Sequence, residues 1–403
     1  VKIEPSQIEV QESPVPGVTR PVFLLGIVSF LTDISSEMVY PLVPLFLTSV
    51  LGAPLAAVGL IEGVAESTAS VLKTVSGWLS DRWRVRKPLV VAGYALSAVA
   101  KPLMAMANAW PAALGVRFLD RTGKGLRTAP RDALVADVTP PLQRGRAFGY
   151  HRAADTAGAV VGPAAGLGLL ALFDENFRAV FVLALIPAAA GVLLLALVQE
   201  RRPLGRAAGS KAPVSWRQLG PSFWLFLAVS LLFAVGNSSD AFIILRAKDL
   251  GLSNTAVVAA YVTFNAVYAV GAMPAGVVSD RAGRRNIIAG GFLLFALVYL
   301  GLAVASEGGW VWPLLMAYGA YMALTEGVAR ALVVDLVPAA GRATALGIYT
   351  GALGAMILLS SVLAGALWDA IGPRAPFFLG ASTAAAASGA MLLLLPVLRP
   401  RRG

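Results

Sequence analysis

The sequence predicts an all-α polytopic membrane protein with twelve transmembrane helices arranged as two six-helix pseudo-repeats. Three observations carry that prediction. Of the 403 residues, 57% are hydrophobic and only 14% charged, with a mean hydropathy of +0.74; a soluble protein is about 45–50% apolar and about 25% charged. Apolar runs long enough to cross a bilayer follow one another along most of the chain. Two sequence patterns of the first half also return in the second. The composition excludes a disordered chain, a coiled coil and most water-soluble enzymes. The lack of cysteine excludes disulfides, thiolate chemistry and cysteine metal sites. His151, the one histidine, leaves no histidine cluster.

A spanning helix needs about 20 mainly apolar residues. Such runs lie at 21–47, 55–79, 88–108, 110–129, 145–173 and 177–199, then at 220–246, 253–279, 286–306, 310–334, 343–369 and 375–398. Several exceed the minimum, which implies tilt or extension past the hydrocarbon. Pro130 marks the expected end of span 4. Residues 1–20, with Pro5, Pro14 and Pro16, read as a disordered cytoplasmic tail without a signal peptide. The domain organisation is then a bundle at 21–199, a polar linker at 200–218, a second bundle at 219–398 and a basic tail at 399–403.

The net charge of +11 sits in short clusters between apolar runs, an orientation signal rather than a nucleic-acid footprint. Arg82, Arg84, Arg86 and Lys87 follow span 2. Arg201, Arg202, Arg206, Lys211 and Arg217 follow span 6, and Arg281, Arg284 and Arg285 follow span 8. The odd-numbered loops hold only Arg178, Arg246, Lys248 and Arg374. By the positive-inside rule both termini are cytoplasmic, as an even number of spans requires.

The repeat is explicit. Gly77-Trp-Leu-Ser-Asp81-Arg82 returns as Gly276-Val-Val-Ser-Asp280-Arg281, about 200 residues later. Asp137, Pro140, Arg144, Ala147 and Gly149 return as Asp335, Pro338, Arg342, Ala345 and Gly347 at nearly the same offset. Two parallel six-helix units are the plan of a transporter that rocks one half against the other around a central site.

These residues resemble the major facilitator superfamily over 21–398. The family's loop 2–3 signature is matched by Gly77, Asp81, Arg82, Arg86 and Lys87, and its loop 8–9 echo by Gly276, Asp280, Arg281, Gly283, Arg284 and Arg285. A span 5 signature, found mainly in drug and metabolite exporters, is matched by Gly158, Gly162, Pro163 and Gly166, with Leu167 in place of the last glycine. Arg117 and Gly123 match a span 4 pattern, with Arg121 where its first glycine usually stands. The resemblance implies proton-coupled exchange by alternating access, and it assigns the span 4 arginine Arg117 the role of a switch. Glycines allow close helix packing, and an aspartate at a loop can pair with neighbouring helix ends. We therefore assign gating to Gly77, Asp81, Arg82, Gly276, Asp280 and Arg281, and to Gly158, Gly162 and Pro163.

Substrate chemistry must come from polar residues within spans, where a charge costs about 2.5–3.5 kcal/mol and faces a cavity or a partner. Asp33 and Glu37, four residues apart, share a face of span 1. Glu62, Glu66 and Lys73 share a face of span 2. Span 4 holds Arg117, Asp120, Arg121 and Lys124, and span 5 opens with His151, Arg152 and Asp155. The second half is poorer, with Asn237, Asp240, Asn265, Glu326 and Arg330. One reading is a buried ion-pair network that fixes helix packing. In it Glu326 pairs with Arg330, Asp120 holds Arg117, and Lys124, Arg127 and Arg131 reach the headgroups, with His151 near the same interface. The other is proton coupling, since desolvation and a nearby arginine act oppositely on a carboxyl group. Asp33, Glu37, Glu62, Glu66 and Arg117 are its candidates. The substrate candidates are Asp33, Glu37, Tyr40, Arg117, Asn237, Asp240 and Asn265, and this set suits a cation or an anion.

The function expected is a proton-driven exporter of a small organic solute. A proton symporter importing such a solute is the alternative, followed by a divalent-metal exporter using the oxygen ligands of Asp33, Glu37, Asn237 and Asp240. Enzyme motifs for zinc hydrolysis or a serine elbow are absent from the sequence, and a moving gate argues against a channel. The expected partners are a small-molecule substrate, protons and the lipid bilayer of a bacterial inner membrane. A monomer is expected, with no cofactor, no resident metal and no nucleic acid.

Overall fold

The computed structural model describes residues 13–16, 18–83, 86–139, 143–198, 219–338 and 341–394. The tail at 1–12, the linker at 200–218, the tail at 399–403 and the Asp81 side chain lie outside the described residues. Helices α1 (Arg20–Val39), α2 (Leu42–Ser49), α3 (Leu55–Trp83), α4 (Lys87–Met106), α5 (Trp110–Asp137), α6 (Arg144–Leu172), α7 (Phe177–Leu183) and α8 (Leu185–Leu194) form the first set. The second is α9 (Pro221–Gly236), α10 (Ala241–Asp249), α11 (Asn254–Ala282), α12 (Arg284–Val304), α13 (Val311–Leu336), α14 (Arg342–Ala370) and α15 (Ala375–Leu393). Proline occupies the first turn of α1, α4, α5, α9 and α15, where its missing N–H costs nothing. The Ser253 side chain caps α11 by accepting from the Ala256 N–H. Gly283, at φ +89°, turns the chain between α11 and α12.

Counted through short breaks, ten candidate spans among the described residues are long and apolar enough to cross a membrane. Helices α5 and α13 complete the expected twelve; at 28 and 26 residues they too are long enough at about 1.5 Å per residue. Spans 1 and 7 are each broken at matching places. Tyr40 and Pro41 separate α1 from α2, and Asn237 to Asp240 separate α9 from α10. Span 4 departs from expectation, because α5 continues through Pro130 to Asp137. A proline inside a membrane helix is tolerated where neighbouring helices satisfy the freed carbonyl, and Pro130 is buried.

The packing repeats as the sequence does. Helix α1 lies on α6 and α8, and α5 on α3 and α4; correspondingly α9 lies on α14 and α15, and α13 on α11 and α12. The two sets meet along α3 with α14 and along α6 with α11.

The α3–α14 seam is tight from the start of α3 to its middle and then parts. A Cβ at Gly59 would lie 2.1 Å from the Ser361 carbonyl oxygen, and one at Gly365 would lie 2.4 Å from that of Leu55. Asp369 accepts from the N–H groups of Leu55 (3.2 Å) and Ala56 (2.8 Å), capping α3 across the seam. At the same end Asn254 donates to Glu175 at 2.7 Å, tying α11 to the loop after α6. Beyond Ser70 and Gly354 the contact ends: Thr74 and Thr350 are exposed, and Gly347 and Gly351 face open space. The cleft is thus closed at the end bearing loop 1–2 and open at the end bearing loop 2–3.

Candidate functional site

Between the two sets lies a cavity of about 540 Å³. One wall is charged: Glu37 from α1, Glu66 from α3, and Arg121 and Lys124 from α5. The opposite wall is aromatic, with Tyr261, Tyr268, Tyr318, Tyr321 and Tyr349 around Asn237, Asp240 and Asn265. Of the substrate candidates read from the sequence, Glu37, Tyr40, Asn237, Asp240 and Asn265 line this cavity. Asp33 and Arg117 instead line a smaller one of about 40 Å³ inside the first set.

The acids divide by partner. Glu62 is buried and takes a bidentate grip from Arg117, with hydrogen bonds of 2.6 to 3.0 Å. Glu66 pairs with Arg121 at 3.0 Å. Asp120 goes to Lys101 at 2.9 Å and stands 3.8 Å from Arg117. Asp120 is thus within ion-pair range of Arg117, as expected, but Glu62 is the closer partner, because α3 packs against α5 and brings its carboxylate to the guanidinium.

A second group of acids is bound by tyrosine. Tyr318 donates to Asp240 at 2.6 Å, Tyr268 to Glu326 at 2.6 Å and Tyr261 to Glu37 at 3.3 Å. The last of these bonds joins the two helix sets. Glu326 also pairs with Arg330 at 3.0 Å, as expected. Among the described residues neither Asp33, Glu37 nor Asp240 forms an ion pair. Tyr40, at the break in span 1, lies under both Arg117 and Arg121, 5.8 and 5.6 Å from its ring centre, and packs on Tyr261. Asn265 donates to the Tyr261 carbonyl at 3.0 Å.

Three cations are not at the headgroups, contrary to the sequence reading. Lys124 lines the cavity. Arg127 is buried, donates to Ser97 at 2.7 Å and lies 4.6 Å over the Tyr94 ring. Arg131 donates to Ser29 at 2.9 Å and lies 3.9 Å from Asp155. The uninterrupted α5 keeps all three inside the bundle. His151 is buried as well, 3.5 Å from Asp155.

The gating candidates fall in two places. Gly158 and Gly162 lie where α6 meets α1, within one set: a Cβ at Gly158 would sit 2.8 Å from the Asp33 Cβ, and one at Gly162 would sit 2.8 Å from the Glu37 Cβ. Pro163 lies inside α6 next to them. Gly77 faces Ala129 and Gly276 faces open space. Arg82 is exposed beside Trp78, and Arg281 is exposed. Arg284 joins Asp280 (3.1 Å) to Asp335 (2.5 Å), as Arg86 joins Asp137 (2.5 Å) in the first set. These pairs stay within one set, consistent with a cleft open at that end.

Sequence reasoning missed Lys101 and the tyrosine wall. Lys101 stood inside an apolar run, where an unpaired lysine is costly, and that cost was the available signal. The tyrosines were hidden because aromatic residues at helical spacing read as ordinary core.

The profile of the Major Facilitator Superfamily matches residues 25–257 and 226–403. The chain is 35% identical over 384 residues to the uncharacterized MFS-type transporter MJ1317 of Methanocaldococcus jannaschii, covering 94% of this chain and 95% of that one. It is 35% identical over 153 residues to the multidrug resistance protein MdtH of Yersinia pestis, covering 36% and 37%. Among solved structures, a bacterial homolog of the human lysosomal transporter Spinster, described as inward-facing and unoccupied, superposes with a TM-score of 0.68 at 17% identity over 96% of both chains.

Proposed function

This chain belongs to the Major Facilitator Superfamily, and we propose that it exports a small, positively charged organic solute in exchange for protons. It is an integral membrane transporter and not an enzyme. The observation that carries the proposal is the division of the acids. Arg117 and Arg121 are occupied by Glu62 and Glu66, which leaves little in them for an anion. Glu37 and Asp240 line the same cavity, and among the described residues they form no ion pair and accept hydrogen bonds from tyrosine hydroxyls. Carboxylates without a cation, backed by tyrosine faces, suit an amine or quaternary cation with an apolar body. Lys124, at the open side of the same cavity, supports a solute whose charge is concentrated at one end.

In the proposed cycle Asp33 and Glu37 are the proton carriers, seated against Gly158 and Gly162. Glu62, Glu66, Arg117 and Arg121 hold the charged wall in place, and Arg117 changes partner as the halves rock. Asp81, Arg82, Asp280 and Arg281 close the loop 2–3 end in the opposite state. The positive-inside bias makes that end, both termini included, cytoplasmic, so the cleft described above is the inward-open state in a bacterial inner membrane. The span 5 glycines and the partial likeness to MdtH support export over import by symport. The divalent-metal reading loses ground, since no cluster of three acid or histidine ligands occurs among the described residues.

The test uses inside-out vesicles with an acid interior and a pH dye, and adds in turn tetraphenylphosphonium, an aromatic acid, a sugar and a divalent metal ion. Tetraphenylphosphonium should discharge the gradient with the wild type and fail to do so with Asp33→Asn. Equal discharge by Asp33→Asn overturns the proton assignment; discharge by the acid or the sugar alone overturns the substrate charge. No discharge by any compound removes the exporter reading and puts symport first.

A further inference from the structure

The face of α6 that packs on α1 reads His151, Asp155, Gly158, Gly162 and Gly166, a stripe of i+3 and i+4 steps. Its outer part is glycine, and there Asp33 and Glu37 of α1 rest directly on the helix. Its inner part, toward the loop 2–3 end, carries two ionisable side chains instead. Helices α1 and α6 run parallel in this contact: Gly158 meets Phe30 and Asp33, Gly162 meets Ile34 and Glu37, and Gly26 meets Tyr150. Asp155 therefore lies one turn below Asp33 and His151 one turn further.

Two atoms of this stripe are buried with no hydrogen-bond partner, Asp155 Oδ1 and His151 Nε2. His151 is only 4% exposed. A packing network would satisfy such atoms, and buried polar atoms left over by the protein are normally satisfied by ordered water. Neither residue lines the solute cavity. The charged groups that act on them are Asp33 from α1, Arg131 and Asp132 from α5, and Arg152 of α6 itself, with Ser29 of α1 and Tyr94 of α4 around Arg131. Of these, Arg131 contacts the Asp155 carboxylate at 3.9 Å and donates to Ser29 at 2.9 Å, which fixes that carboxylate between α1 and α5.

We propose that Asp33, Asp155 and His151 form a proton route inside the first helix set, separate from the solute cavity and leading to the loop 2–3 end. The inference rests on the reading of Asp33 as a proton carrier. The protonated Asp33 carboxyl gives its proton through water to the Asp155 carboxylate. Asp155 passes it to Nδ1 of the neutral His151 ring, 3.5 Å away. The imidazolium rotates, gives the Nδ1 proton to water and rotates back, and Nε2 keeps its own proton throughout. The route lets the proton leave while the solute is still held, which a single shared cavity does not allow.

The test needs no solute. The purified full chain is subjected to a pH step while the carboxyl C=O stretch is followed by infrared spectroscopy, the Asp33 band being the one lost in Asp33→Asn. In His151→Asn and in Asp155→Asn that band should respond at least ~10-fold more slowly than in the wild type. Asp174→Asn, exposed in the loop after α6 and away from the stripe, should leave the rate unchanged. Thermal unfolding checks the fold of each variant, and either stripe variant suffices if the other fails to fold. Unchanged rates in a folded stripe variant overturn the route alone. Absence of any titrating Asp33 band in the wild type overturns both the route and the proton-carrier reading beneath it.

Discussion

Gly158 is the seat of Asp33. A side chain at position 158 would place its Cβ 2.8 Å from the Asp33 Cβ and 2.7 Å from the Phe30 carbonyl oxygen, closer than any stable contact. One turn on, Gly162 stands in the same relation to Glu37. The span 5 glycines thus do more than permit helix packing, because the contact they permit is the one that sets the two candidate proton carriers against α6.

Gly158→Ala should therefore push α6 away from α1. Inserting a methyl group into such a contact costs about 1–3 kcal/mol, so a clear drop in melting temperature is expected together with loss of gradient-driven transport. Gly168→Ala, where a Cβ meets nothing within 4 Å, is the control and should behave as wild type. Equal behaviour of the two variants in a thermal melt and a vesicle assay would disprove the seating argument.

The Glu62–Arg117 pair is buried on both sides. Removing one partner, as in Glu62→Gln or Arg117→Met, should cost about 3–5 kcal/mol by leaving a charge uncompensated. The double variant Glu62→Leu with Arg117→Met should regain most of that stability and still fail to transport if the pair changes partners during the cycle. A double variant that transports normally would reduce the pair to packing.

The tyrosine-bound acids should separate in magnitude. Asp240→Asn removes the cavity carboxylate of the second helix set that has no ion-pair partner among the described residues, and should weaken tetraphenylphosphonium binding at least ~10-fold. Tyr318→Phe removes only a hydrogen bond and should cost about 1 kcal/mol, or roughly fivefold. Equilibrium binding to purified protein measures both, and equal losses would contradict a charge-selective site.

Asp369 holds the closed end of the cleft by capping α3 from α14. Asp369→Ala should weaken closure by about 0.5–2 kcal/mol and raise the population open at that end. The sequence contains no cysteine, so spin labels at Val50→Cys and Ile371→Cys, both exposed sites, report the separation without background. An unchanged distance distribution would show that the cap does not bear on closure.

The helix count and the fold were legible because hydropathy and length dictate which segments can cross a bilayer, and the chain satisfies that constraint locally, segment by segment. The repeated Gly-x-x-x-Asp-Arg pattern was legible for the same reason. Pro130 misled, since a proline ends a helix in water but not one whose neighbours supply new partners. The error carried Lys124, Arg127 and Arg131 to the wrong place with it.

Sequence by itself determined the apolar spans, the clustering of basic residues in alternate loops, and the list of polar residues that fall within those spans. It could not determine which of them meet. That Glu62 holds Arg117 more closely than Asp120 does, that Lys101 takes Asp120, and that Glu37 and Asp240 are left to tyrosines are outcomes of how helices distant in the chain pack. A charge's cost of burial is written in its own residue type, but its partner is chosen by geometry that only the assembled bundle supplies.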